Sequence, residues 1–139
     1  MTDAQSDRQL KVLLYSDDRT VRRDVRLALG TRVAADLPPL DIFDVATEPA
    51  VITALDEGPY DLVILDGEAV PSGGMGIAYR MKDEYADCPP VLVLVARVAD
   101  AWLATWSKAE AIATHPIDPV RLPAQVAELL RARLAEPAR

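Results

Sequence analysis

Short apolar runs alternate with stretches of helical period five times along the chain, the pattern of β-strands joined by helical crossovers. The runs predict strands over Lys11 to Ser16 (KVLLYS), Asp41 to Ala46 (DIFDVA), Asp61 to Leu65 (DLVIL), Val91 to Val95 (VLVLV) and Ala111 to Thr114. The third and fourth runs are almost wholly apolar, as expected of parallel strands covered on both faces. Between them, Val21, Val25, Ala28 and Leu29 fall on one face of a first helix, and Val51, Ala54 and Leu55 mark a short second one with Pro49 in its first turn. Ile77, Met81 and Tyr85 predict a third helix, and Ala99, Trp102, Leu103 and Trp106 a fourth. The last begins near Asp118 and aligns Leu122, Val126, Leu129, Leu130 and Leu134, with Pro123 limiting how early its regular part starts. GEAVPSGGMG, after the third strand, reads as the most flexible loop, and TRVAADLPPL as a longer surface loop. The fold class is α/β with a parallel sheet. Residues 10 to 135 form one domain, and residues 1 to 9 and 136 to 139 read as frayed ends.

Composition narrows the functional classes. A chain of 139 residues, 50% of them hydrophobic, suffices for one domain with a core and leaves no room for a second. There are 22 acidic and 15 basic side chains, a net charge of −7, and the only lysines are Lys11, Lys82 and Lys108. That balance argues against nonspecific nucleic-acid binding. No apolar run approaches the roughly 20 residues needed to cross a bilayer, and MTDAQSDRQLK lacks the order of a secretory signal, so a cytoplasmic protein away from membranes is expected. Cys88 is the single cysteine and His115 the single histidine, which excludes an internal disulfide and a Cys/His zinc cluster. Any metal would be held by oxygen.

Open parallel sheets bind ligands beyond the carboxyl ends of their strands, where strand order reverses. The first strand ends at Asp17 and Asp18 and the third at Asp66. In a flavodoxin-like order 2-1-3-4-5 these strands are neighbours, so three carboxylates would share one crevice. Such a group needs a cation to offset its repulsion, and an all-oxygen site suits Mg²⁺ with phosphate oxygens. Asp17 or Asp18 could equally start the first helix as an N-cap, and Asp66 could be a solvated loop residue.

Taken together, these segments resemble a bacterial response-regulator receiver domain, the module that accepts a phosphoryl group from a histidine kinase onto an aspartate. KVLLYSDDRTVRRDVRLAL is similar to the family's first strand, acidic pair and first helix; GPYDLVILD to the strand ending in the phospho-acceptor; PPVLVLVAR to strand four; and THP to the end of strand five. The resemblance spans about residues 10 to 135 and implies a flavodoxin-like, doubly wound, three-layer fold. It makes Asp66 the phospho-acceptor and Asp17, Asp18, Asp66 and the backbone carbonyl of Glu68 the ligands of Mg²⁺. A carboxylate can form an acyl phosphate when a metal offsets charge on the transferring group. The implied partners are a histidine kinase or small phosphodonor, a downstream protein, and a second copy of the chain; the implied role is signalling rather than enzymatic turnover.

Three positions depart from the family pattern. Val95, followed by Ala96, stands where a Ser or Thr hydroxyl would contact the phosphoryl group. His115, before Pro116, stands where the family has its phosphate-binding Lys, and Ile112 occupies the aromatic switch position. The turn after Asp66 is one residue longer before Pro71 and carries Gly73, Gly74 and Gly76. The chain is therefore expected to be an atypical receiver.

His115 could be a pH-sensitive phosphate contact or a hydrogen-bonded structural residue. Trp102 and Trp106, one turn apart, read more readily as half-buried cover than as a docking site, with one of the two exposed. Cys88 reads as inert, Arg19 as a surface residue at a helix start, and the three glycines lack the Gly-Lys-Ser/Thr of a phosphate-binding loop. Two functions compete: a stand-alone receiver phosphorylated on Asp66 with Mg²⁺, and a pseudo-receiver binding its partners without phosphorylation. An FMN protein of the same architecture is disfavoured, because Asp17 and Asp18 would repel the cofactor's phosphate.

Overall fold

The computed structural model describes residues 8–70, 72–97, 102 and 106–136. Five parallel strands, β1 (Leu10–Tyr15), β2 (Leu40–Val45), β3 (Leu62–Asp66), β4 (Val91–Val95) and β5 (Ala111–Thr114), form one sheet in the order β2-β1-β3-β4-β5. Helices α1 (Arg19–Leu29), α2 (Glu48–Glu57), α3 (Gly74–Glu84) and α4 (Arg121–Ala135) flank the strands, and Trp102, Trp106 and Ser107 are also helical, between β4 and β5 where the sequence predicts a helix. The expected strand order and α/β class are both observed.

Alternation along each strand sorts the apolar side chains into two layers. Leu10, Val12 and Leu14 of β1, Leu62 and Ile64 of β3, and Leu92 and Leu94 of β4 pack with Val25 and Leu29 of α1 and Leu122, Val126 and Leu130 of α4. Leu13 and Tyr15, Val63 and Leu65, and Val91, Val93 and Val95 pack on the other side with Val51 of α2 and Ile77, Ala78 and Met81 of α3. Both faces of β3 and β4 are thus dry, which is why these strands are apolar almost throughout.

Local chemistry sets the helix starts. The Asp18 carboxylate accepts from Thr20 N–H at 2.8 Å and caps α1, while Thr47 Oγ1 accepts from Ala50 N–H at 3.2 Å and caps α2. Asp118 Oδ1 takes the N–H groups of Val120 and Arg121 at 2.8 and 3.0 Å ahead of α4.

Several expectations need correcting. Strands β1 and β2 begin and end one residue earlier than the apolar runs indicate, whereas β3 runs one residue later and includes Asp66. Tyr85 closes α3 rather than continuing it, and Leu134 is 41% exposed. The segment after α1 is more than surface loop: Leu37 is buried in the α1/α4 layer, with Val33 and Ala34 packed against it. Trp102 and Trp106 are both exposed, the second stacked on Tyr79 of α3 at 4.6 Å between ring centroids. Ala99 and Leu103, like residues 1–7, Pro71 and residues 137–139, lie outside the described residues. Arg8, placed in a frayed end by the sequence, pairs with Asp61 at 3.2 Å.

Candidate functional site at the carboxyl edge of the sheet

Asp66 is the last residue of β3 and is 3% exposed. It follows Leu62 and Ile64 on the α1/α4 face, so the end of the strand turns a carboxylate toward the carboxyl edge of the sheet. The β1–β3 register pairs Tyr15 with Leu65, and one step further sets Ser16 beside Asp66. Ser16 is fully buried, and its Oγ donates to Asp66 Oδ2 at 2.8 Å. The same hydroxyl accepts from Asp18 N–H at 3.0 Å, so both its donor and its acceptor capacity are used.

The other carboxylate oxygen, Oδ1, accepts from Glu68 N–H at 2.9 Å and faces His115 Nε2 at 3.2 Å. His115 is brought there by β5: its N–H donates to Val95 O at 2.9 Å, extending the β4–β5 pairing by one residue before the cis peptide to Pro116. Three donors from three strand ends therefore converge on one carboxylate. Burial pushes the Asp66 carboxyl up, but the hydrogen bonds from His115, Glu68 N–H and Ser16, together with the charge of His115, outweigh it and leave it below the usual range. The hydrogen bond to Asp66 raises the His115 imidazole against the opposing effect of burial, with Asp66, Glu68 and Asp18 adding negative charge. The pair is a part-buried histidine–carboxylate contact.

Asp17, Asp18, Val21, Asp66, Glu68, Ala96 and His115 line an open cleft of about 380 Å³. The sequence-derived acidic residues thus share one cleft, but in unequal roles. Asp66 is buried within it, Asp17 and Asp18 are exposed, and the Asp18 carboxylate is engaged as the cap of α1. From the end of β4 the cleft receives Ala96. Val95 is fully buried in the α2/α3 layer, and neither side chain carries a hydroxyl. Ile112 is half-buried on β5, and its carbonyl accepts from Gln125 Nε2 at 2.7 Å.

Sequence reasoning missed Ser16. Its signal was present, since it follows Leu14 by two and so shares the face of Asp66. It also missed Arg22, whose guanidinium donates to Ser16 O and meets Asp44 at 3.3 Å, fixing the turn from below.

Close backbone approach shapes the turn after Asp66. A Cβ on Gly67 would lie 2.7 Å from Leu94 O, and one on Gly74 would lie 2.7 Å from Asp66 O. Glycine here lets α3 start directly against the end of β3. Tyr15, fully buried on the opposite face from Ser16, donates its hydroxyl to Ser72 O at 2.5 Å, and Ser72 Oγ donates to Glu48 Oε1 at 2.9 Å.

The donor set can be tested against the divalent cation that the resemblance implies. Mg²⁺ needs oxygen lone pairs in near-octahedral array. Of the implied ligands, Asp66 has three of about four lone-pair sites taken by donors and Asp18 is turned to Thr20 N–H, which leaves the exposed Asp17 and the Glu68 carbonyl, while Ser16 points a hydroxyl proton at Asp66. Among the described residues, no three His, Cys, Asp or Glu side chains converge as a metal site. The residues as arranged do not fit the cation.

No protein-family model matches the chain. Response regulatory proteins from two strains of Mycobacterium tuberculosis are each 54% identical to it over 127 residues, covering 91% of this chain and 96% of theirs. Among solved structures, the receiver domain of a LuxO repressor protein from Vibrio parahaemolyticus aligns with TM-score 0.78 at 23% identity, over 94% of this chain and all of the other. The chemotaxis response regulator CheY4 of Vibrio cholerae gives 0.72 at 18% identity, over 88% and 99%. Fold, strand order and the mycobacterial relatives agree: the chain belongs to the response-regulator receiver family.

Proposed function

We propose that this receiver works as a pseudo-receiver, a signalling module that binds a partner protein without needing phosphorylation of Asp66. One observation carries the reading: both oxygens of the Asp66 carboxylate already accept hydrogen bonds, from Ser16 Oγ, Glu68 N–H and His115, and the residue is only 3% exposed to the cleft. A carboxylate has about four lone-pair sites, three of them taken here, and each hydrogen bond draws charge from the oxygens and makes them poorer nucleophiles. Charged contacts of this kind are worth about 1.5–3 kcal/mol each. The absence of hydroxyls at Val95 and Ala96 removes the contact that would reward the change. Histidine kinases and downstream proteins are the family's partners, and the exposed carboxyl edge and surface helices are where such contacts would form.

A second reading, a phosphorylated receiver with Asp66 as acceptor, draws support from the position of Asp66 at the end of β3 in a cleft with Asp17 and Glu68. Acetyl phosphate with Mg²⁺, followed by intact-mass measurement, decides between the two. The pseudo-receiver reading expects no added phosphoryl mass on the wild-type chain. A gain that disappears in Asp66→Asn would establish the second reading.

A further inference from the structure

We infer that Ser16 is the residue that withholds a divalent-cation site from this receiver, its hydroxyl standing where a second carboxylate would face Asp66. The inference deepens the proposed function, concerning the same site, but it is read by metal binding rather than by phosphoryl transfer.

The argument begins with register. β1 pairs with β3 so that position 16, and neither 17 nor 18, lies beside Asp66 on the same face of the sheet. A hydroxyl there donates to the carboxylate and stabilises its charge without any ion. A carboxylate there would instead face Asp66 at hydrogen-bonding distance with no proton to share, a repulsion that a cation relieves. The neighbours reinforce the difference. Asp18 is committed to the start of α1, and its N–H donates back to Ser16 Oγ. Arg22 donates to the Ser16 carbonyl and holds the turn in this position. His115 Nε2 faces the other oxygen of Asp66 from the β5 side at 3.2 Å. Together, Ser16, Glu68 N–H and His115 engage the carboxylate that a bound cation would otherwise engage, and Asp17 is left exposed in the cleft.

The test titrates MgCl₂ through the millimolar range into the full chain by calorimetry, with melting curves at each concentration, for wild type, Ser16→Asp and Asp17→Asn. The wild type should show no saturable heat and no metal-dependent change in melting temperature. Ser16→Asp should melt lower than wild type without metal, recover as Mg²⁺ is added, and bind it saturably within that range. Saturable Mg²⁺ binding by the wild type that Asp17→Asn removes would overturn the inference, as would a folded Ser16→Asp chain indifferent to Mg²⁺. If Ser16→Asp does not fold, the wild-type titration decides alone. Phosphoryl transfer to Asp66 without metal binding would refute the proposed function and leave this inference standing.

Discussion

Two charged groups meet in the cleft, and their pH dependence has a definite sign. The raised imidazole of His115 contributes stability that is complete below its ordinary value of 6.5 and is lost as pH rises through the higher folded-state value. The lowered carboxyl of Asp66 contributes stability that is present above 3.8 and is lost as pH falls through its lower folded-state value. His115→Ala should therefore cost most between about pH 4 and 6.5, roughly 1–3 kcal/mol, with the cost shrinking on the alkaline side. Urea unfolding of wild type and variant across that range checks it; a cost that grows above neutrality would show the pair to be neutral. The expectation that His115 and Asp66 share a site follows from the resemblance, which sets His115 where the family has its phosphate-binding Lys, and the two side chains do meet. The acidic pair does share the cleft with Asp66, but alternation along β1 assigns the position beside Asp66 to the serine before them. Composition could not reveal the surroundings of Cys88: burial, with Glu110, pushes its thiol up against the pull of Lys82 and Arg133.

At the level of elements, the turn between β3 and α3 separates two glycines that look alike in sequence. Gly74→Ala drives a methyl group into the Asp66 backbone and should cost about 1–3 kcal/mol. Gly76→Ala meets nothing within 4 Å and should be neutral or stabilising, by up to about 1 kcal/mol, since it lies inside a helix. Thermal melts of the two variants are the measurement, and equal losses would contradict the packing described. Element identities were legible wherever a period was sustained, as in β4 and β5, whose limits match the apolar runs. The shifts in β1, β2 and β3 arise because pairing is set by backbone partners, such as Leu10 with Leu40, rather than by where hydrophobicity begins. Leu37 was hidden for a similar cause. A lone leucine between Asp36 and Pro38 has no periodic company, and Arg131, bonded twice to Asp36 at 2.8 Å, holds its loop against α4.

For the molecule as a whole, the three-layer arrangement makes position in the sheet decide what a side chain is worth. Ile64, fully buried on the central strand, should cost about 2–5 kcal/mol when cut to alanine. Phe43 on the edge strand β2 is 51% exposed, and its replacement by alanine should cost under about 1 kcal/mol. Similar denaturation midpoints for the two variants would sink the layer assignment. This gross order was readable because dry strands at the centre need apolar residues on both sides, whereas the exposure of Trp102 and Trp106 depends on how neighbouring segments sit, which periodicity does not report.

Tyr15 and Ser16 are consecutive, yet one reaches through the α2/α3 side to the Ser72 carbonyl while the other grips Asp66 on the α1/α4 side. A single peptide unit is thus riveted on both surfaces of the sheet. Any rearrangement that draws the Ser72 segment over the cleft must break the phenol contact first, and the residue that makes that contact is covalently next to the one that holds Asp66.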